Sequence, residues 1–379
     1  MKFILAPDKY KGSLTGRDFC ETVARGIRKV LPDAEIVSRP LADGGDGTID
    51  VVKDYLNASV VSITVKDPFF REVSAPYLLS ADQQTAFIEM SEASGYKLLE
   101  KSKMNCMRTT TFGTGEMIVD ALEKGAKHIV LGIGGSATND GGMGMAAALG
   151  FEFLDEDGQV LEPIGKNLGR VEEVKTGQVH PKLREVKIEV ACDVNNPFYG
   201  KEGAAHIYGP QKGASEEEVA FLDKGLEHFA QILQSTFNID VQQIQGAGAA
   251  GGLGGGSVVF LNAKLVSGVD LVMEMAQFEQ VLDGADWVIT GEGQLDGQTL
   301  SGKTINGVIQ AARKKQIPVA ALCGSVDVSM EQMHAIGLDY AVSILNQIGD
   351  LDDAKAKSVQ NLELAAFNFA RLLKRSMPT

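Results

Sequence analysis

The segment that most restricts the fold is Gly132-Ile-Gly-Gly-Ser-Ala-Thr-Asn-Asp-Gly-Gly142, together with its flanks. Before it, Lys127-His-Ile-Val-Leu131 is a short apolar run that reads as a strand. After it, Met143-Gly-Met-Ala-Ala-Ala-Leu149 reads as the start of a helix. A strand that feeds a glycine-rich turn and then a helix N-terminus gathers unpaired backbone N–H groups at one point. Such a point suits a phosphate or a carboxylate. The same turn carries the hydroxyls of Ser136 and Thr138, the amide of Asn139 and the carboxylate of Asp140, a group able to hold a metal ion.

Strand–helix alternation recurs at both ends of the chain. Lys2 to Pro7 reads as a buried strand, followed by a helix with Thr15 as N-cap, Asp18 three residues on, and the apolar stripe Phe19, Val23, Ile27, Leu31. Ala34 to Leu41 reads as a strand and Thr48 to Leu56 as a helix. Near the C-terminus, Trp287–Thr290, Pro318–Leu322 and Tyr340–Leu345 read as strands, each followed by a helical pattern. The last helix carries Val359, Leu362, Ala366, Phe369 and Leu373 on one face. Alternation of this kind implies parallel pairing in a doubly wound sheet. The middle is less regular, with alternating runs at Val60–Val65 and Thr85–Met90 and a helix near Glu216–Gln234. The expected fold class is therefore α/β with two domains. Residues 1–66 and 286–379 form a discontinuous doubly wound domain, and 67–285 form an inserted α/β domain.

Charge narrows the function. A net charge of −14 argues against nucleic acid or an anionic membrane as the main partner, since neither would be attracted overall. A nucleotide is compatible with it, because local N–H groups, a few lysines and Mg²⁺ hold triphosphate on an acidic protein. Cys20, Cys106, Cys192 and Cys323 are far apart, without zinc spacing, and no H-E-x-x-H occurs, which reads as a reduced, cytoplasmic protein lacking a structural metal. Met1 to Asp8 is too short in apolar length for a signal peptide, and no stretch approaches the roughly 20 apolar residues of a spanning helix.

The 43 glycines cluster in polar loops, several directly after predicted strands, where ligands bind in open α/β sheets. These are Asp8–Ser13, Asp43–Thr48, Gly132–Gly142, Asp193–Pro197 with Gly209–Gly213, Gly246–Gly254, and Gly291–Thr299 with Gly302–Thr304. Any one of them is more readily a turn than a ligand cradle, with Asp43–Thr48 evenly balanced; the set points to a site. Gly297–Thr304 matches G-x-x-x-x-G-K-[ST], but Gly291 to Asp296 separate it from its strand, which favours a chance match. Gly132-x-Gly-x-x-Ala137 fits a dinucleotide fingerprint with Asp155 near the distance of a ribose acid, and Gly246-x-Gly-x-x-Gly251 fits without a convincing strand. His206, Trp287 and the Phe69–Phe70 pair read as structural, and no G-x-S-x-G is present. The residues alone thus give a phosphate-binding α/β enzyme, with an NAD(P)-dependent oxidoreductase and a non-catalytic nucleotide binder as the other readings.

The chain closely resembles the bacterial glycerate kinases that share the Gly-Gly-Ser-Ala-Thr-Asn-Asp-Gly-Gly segment. The resemblance runs along nearly the whole chain: Ala6–Leu14, Pro40–Thr48, Thr111–Glu116, Gly132–Gly142, Ala191–Pro197, Gly209–Gly213, Gly246–Gly254 and Thr290–Asp296 through Lys303. Departures are Lys9-Tyr10 where Ser-Phe is commoner, Asp46 for a usual Glu, Asn105-Cys-Met-Arg108 for a segment that usually reads Asn-Pro-Leu, and Gln294 where a basic residue is common. The resemblance implies ATP-dependent phosphorylation of glycerate, most readily D-glycerate to 2-phosphoglycerate, in a cleft between two domains. On that basis Gly134, Gly135, Ser136, Thr138 and Asn139 are expected on phosphate, with Lys11, Lys212 or Lys303 completing the clamp. Asp43, Asp140 or Asp296 is expected to hold Mg²⁺. Asp193, or else Asp296, is expected to take the hydroxyl proton, with Lys11 also catalytic. Asp8, Ser13, Arg71 and Arg108 are expected on the glycerate side, an arginine supplying a fork for the carboxylate. Which loops hold ATP and which hold glycerate stays open, as does the oligomeric state.

Overall fold

The structure is a computed structural model that describes residues 1–10, 12–42, 48–297 and 304–376. It divides into two compact units, one of residues 1–51 and 269–379, the other of residues 52–268. The first unit is thus discontinuous and the second is inserted in it. The boundaries differ from 66/67 and 285/286 for identifiable reasons. Ser59–Lys66 pairs along its whole length with Glu72–Leu79 in the inserted unit's sheet. Conversely, residues after Val269 are tied to the first unit, where Arg39 Nε donates to Ala276 O at 3.0 Å and Lys2 Nζ to Asp283 O at 2.7 Å.

The first unit holds a five-stranded, all-parallel sheet in the order Tyr340–Ser343, Val319–Cys323, Trp287–Thr290, Lys2–Leu5, Glu35–Ser38. Numbered along the chain this is 2-1-3-4-5, a doubly wound order whose switch point lies between Lys2–Leu5 and Trp287–Thr290. Helix Gly16–Arg28 begins with the expected capping box: Thr15 accepts from the Asp18 N–H and Asp18 accepts from the Thr15 N–H. Its stripe Phe19, Val23, Ile27 is buried with Leu362, Ala366, Phe369 and Leu373 of the final helix, Ser358–Ser376. Gly26 permits that contact, since a Cβ there would stand 2.6 Å from the Glu363 carbonyl oxygen.

The inserted unit holds a six-stranded sheet in the order Lys264–Val266, Lys187–Ala191, His128–Gly132, Thr85–Glu89, Glu72–Leu79, Ser59–Lys66. The first four strands are parallel and the last two form an antiparallel meander. The parallel strands follow one another in chain order without reversal, so right-handed connections return each time on one face. Helices Phe112–Glu123 and Ala249–Leu261 contact the strands, whereas helix Glu216–Phe237, with Leu222, Leu226, Phe229 and Leu233 buried, packs chiefly against Gly165–Arg170; Phe229 and Phe237 join Phe151, Phe153 and Phe260 in an aromatic cluster with centroids 5.1–6.4 Å apart. Among the described residues no helix is long and apolar enough to cross a membrane.

Candidate active site

Strand register sets the site of the inserted unit. Glu89, Gly132 and Ala191 stand abreast at the C-terminal ends of three neighbouring parallel strands. The chain leaves Gly132 into the glycine turn, leaves Ala191 toward Asp193, and leaves Glu89 toward the short helix Ser91–Ser94. The crest of the turn is exposed at Gly134 and Gly135, and Gly135 has φ +72°, a left-handed conformation suited to glycine. Among the described residues, the N–H groups of Gly134, Gly135 and Ser136 meet no acceptor within the chain. Three consecutive free donors on a bend make an anion-binding concavity.

Lys212 lies beneath this turn. It is 4% exposed, and its Nζ donates to Ser136 Oγ and to the Thr138 carbonyl oxygen, both at 2.7 Å. Tyr208 places its ring 5.8 Å from the ammonium. Burial pulls the Lys212 pKa down to about 8, against the opposing influence of Cys106 and Asp140. A desolvated cation with no carboxylate in hydrogen-bond contact, next to free N–H donors, is the electrostatic complement of a phosphate group.

The helix N-terminus that the sequence offers as the phosphate seat is already filled. Asp140 is fully buried; its Oδ2 accepts from Thr111 N (2.7 Å), Thr111 Oγ1 (2.8 Å) and Gly144 N (3.1 Å), and its Oδ1 from Gly142 N (3.2 Å). Thr111 Oγ1 in turn accepts from Met145 N at 2.8 Å. Burial raises the Asp140 pKa and these donors oppose the rise. Asp140 therefore closes helix Met143–Ala148 and fixes the loop; it does not fit Mg²⁺, because both oxygens are already engaged by the chain. The anion-binding N–H groups lie earlier, at Gly134–Ser136. Thr138 and Asn139 also face inward: both are fully buried, and Thr138 Oγ1 and both amide atoms of Asn139 have no partner in the chain. The Gly246–Gly254 loop seals them, since a Cβ at Gly251 (φ +71°) would stand 2.0 Å from Thr138 O. That loop braces the site from below and is no second dinucleotide cradle.

The two arginines separate. Arg71 donates through Nε to Asp67 Oδ2 at 2.7 Å and stacks over Phe69, so its fork is spent on the turn it belongs to. Arg108 is exposed, and no carboxylate among the described residues pairs with it. It precedes Thr109, whose hydroxyl donates to Ala137 O at 2.9 Å, so it flanks the glycine turn. Asp193 is exposed and accepts from Gly268 N at 3.0 Å. Asp155 accepts from Arg170 and from Gln159 N in a ribbon where Glu152–Leu154 pairs antiparallel with Glu173–Lys175. The parallel return strand that a dinucleotide fingerprint needs is absent there, and that reading fails.

Sequence reasoning passed over Glu89. It is 8% exposed, and its Oε1 has no hydrogen-bond partner. Burial first, then the charge of Glu92, raises its pKa to about 8, against Lys97. Only its register opposite Gly132 would have revealed it, and register is invisible in the sequence.

The first unit gathers a separate set at its switch point. Asp8 N donates to Gly291 O at 2.9 Å, while Asp8 accepts from Lys9 N at 2.7 Å and from Thr304 Oγ1 at 2.6 Å. Asp8 thus joins the ends of three segments and is no uncommitted substrate ligand. Tyr10 buries its hydroxyl against the Leu322 carbonyl and pins the same loop. Ser13 is not brought to this point; its hydroxyl donates to Ser358 Oγ at 2.8 Å and ties the loop to the final helix. Asp296 follows Leu295, half-buried, on the small ribbon with Ser325–Val326. Lys11, Asp43 and Lys303 lie outside the described residues, as does most of the P-loop-like match. No group of three or more His, Cys, Asp or Glu able to hold a metal occurs among the described residues.

Residues 3–374 match the model of the glycerate kinase family. The chain belongs to the glycerate kinase family. It is 45% identical over 370 residues to a glycerate kinase of Halalkalibacterium halodurans, covering 97% of each chain. It is 40% identical over 377 residues to the glycerate 2-kinase of Escherichia coli K12, covering 100% of this chain and 99% of the other. A crystal structure assigned to glycerate kinase 2 of Salmonella typhimurium LT2 superposes with a TM-score of 0.89 at 39% identity, covering 99% of this chain and 98% of that one. Glycerate kinase family membership accounts for a phosphate-type site without a dinucleotide fold.

Proposed function

We propose that the protein transfers the γ-phosphoryl group of ATP to D-glycerate and yields 2-phosphoglycerate. The observation that carries this reading is Lys212, buried under three free backbone N–H groups at a strand end. Phosphoryl transfer needs positioning and charge neutralisation more than covalent help from the protein. Gly134, Gly135 and Ser136 would donate to phosphate oxygens, and Lys212 would supply the positive charge, its proton held more firmly once an anion binds. Arg108 would take the glycerate carboxylate in a two-pronged contact. The family and the Escherichia coli relative's name support glycerate and the 2-position. Mg²⁺ would enter with the nucleotide, neutralising phosphate charge; Asp140 would not hold it.

A ³¹P NMR time course with Mg-ATP and D-glycerate tests the reading. The expected result is a growing monoester signal that matches ADP formation and couples to one proton, as a 2-phosphate does. Coupling to two protons would move the product to the 3-position, and absence of any monoester from folded, ATP-binding protein would overturn the kinase reading.

A further inference from the structure

We infer that Glu89 is the proton acceptor for the glycerate hydroxyl that attacks phosphorus, which rests on the kinase reading above and deepens it. Three observations place it there. Glu89 is in register with Gly132, one strand spacing of about 4.8 Å from the residue that opens the anion-binding turn. Its carboxylate lies over the space that a side chain at Gly132 would fill, because a Cβ there would stand 2.7 Å from Oε2 and 3.0 Å from Oε1. Its Oε1 is buried without a partner.

The contrast with Asp140 gives that last point its weight. Asp140 is buried to engage four donors of its own chain, a structural use. Glu89 Oε1 closes no helix and holds no backbone N–H, so its burial is a net cost unless a ligand completes it. The charged groups facing it are Glu92 and Lys97 on the following segment, which pair with each other. At the opposite end of the neighbouring strand, His128 is bound to Glu189, and across the turn Lys212 is bound to Ser136 and Thr138. None of these neutralises the carboxylate directly. A proton affinity raised into the neutral range matches what a general base needs.

In the step, the glycerate O–H bond breaks and its proton passes to Glu89 Oε1. The oxygen's electron pair forms the bond to the γ-phosphorus, the bond to the β–γ bridging oxygen breaks, and its electron pair leaves on ADP. Glu89 later returns the proton to water. Asp193, exposed and accepting from Gly268 N, is then not required as the acceptor.

The test is kcat against pH for wild type, Glu89→Gln, Glu89→Asp and Asp193→Asn, with KM for both substrates. Expected are a wild-type rate that rises with pH toward about 8, and a Glu89→Gln variant about 10²–10⁴-fold slower with little change in KM and no rising limb. Glu89→Asp should recover part of the rate and keep the limb. Glu89→Gln within threefold of wild type, a limb that persists in it, or a limb abolished by Asp193→Asn instead would overturn the inference. If Glu89→Gln fails to fold, a ¹³C-carboxyl NMR titration of wild type decides: one glutamate titrating near 8 is expected, and none would contradict it. A wild type that makes no phosphomonoester overturns the kinase reading, whereas a working wild type with an unaffected Glu89→Gln overturns this inference alone.

Discussion

Replacing Lys212 with methionine is expected to lower kcat/KM for ATP by about 10²–10³-fold while leaving the protein folded. Methionine fills the same buried channel without the cation, so Ser136 Oγ and the Thr138 carbonyl lose their donor and the turn loses its only cation in hydrogen-bond contact among the described residues. Stability has its own signature. In the folded chain burial pulls the Lys212 pKa down to about 8 from the ordinary lysine value of 10.5. Below about 8 it is protonated whether folded or unfolded, and the folded state carries the full burial penalty. Between about 8 and 10.5 the unfolded chain keeps a proton that the folded chain has released, so the Lys212 contribution to stability rises with pH across that window and levels off above it. Buried Cys20, Cys106 and Cys323, whose pKa values are pushed up to about 12, 11 and 12, lower the stability of wild type and Lys212→Met alike above their ordinary value of 9, so the readout is the difference in urea midpoint, which should grow in favour of wild type across the window. Activity within threefold of wild type, or a midpoint difference that stays flat across the window, would remove Lys212 from the phosphate site.

Asp140→Ala is expected to be the most destabilising change at the site, by about 3–5 kcal/mol. It leaves Thr111 N, Thr111 Oγ1, Gly142 N and Gly144 N without their acceptor in a fully buried position. Activity should fall with it, because the same carboxylate sets the path of the chain between the anion-binding turn and helix Met143–Ala148. Chemical denaturation without nucleotide or Mg²⁺ separates this role from that of a metal ligand. A metal ligand's removal relieves charge repulsion or leaves the metal-free protein unchanged, so an unaltered midpoint with a raised Mg²⁺ requirement would restore the metal reading.

Asp140 also shows where sequence reading reaches its limit. The strand at His128–Gly132, the turn and the helix that follows were legible from apolar spacing and glycines, and so was the Thr15–Asp18 capping box. An Asp two to four residues before helical N–H groups reads equally as a cap or as a metal ligand, and only burial and Thr111, far away in the sequence, decide between them. Arg71 was more decipherable, since Asp67 stands four residues before it across a proline-containing turn, the spacing of a local ion pair. Ser13 was not, because its partner Ser358 is at the other end of the chain. The unit boundaries moved because Ser59–Lys66 alternates as an edge strand does and carries no mark of which sheet it joins. Glu89 closes a strand in the manner of any polar terminal residue, and its meaning comes from the glycine beside it in the sheet.

The most direct test of the central claim is an amide NMR titration of the ¹⁵N-labelled protein with a non-hydrolysable ATP analogue and Mg²⁺. The N–H resonances of Gly134, Gly135 and Ser136 are expected to move downfield together and saturate at one dissociation constant, as donors that gain phosphate acceptors do. If those three stay in place while the analogue saturates the protein elsewhere, the turn is not the phosphate site, and the functional account built on it fails.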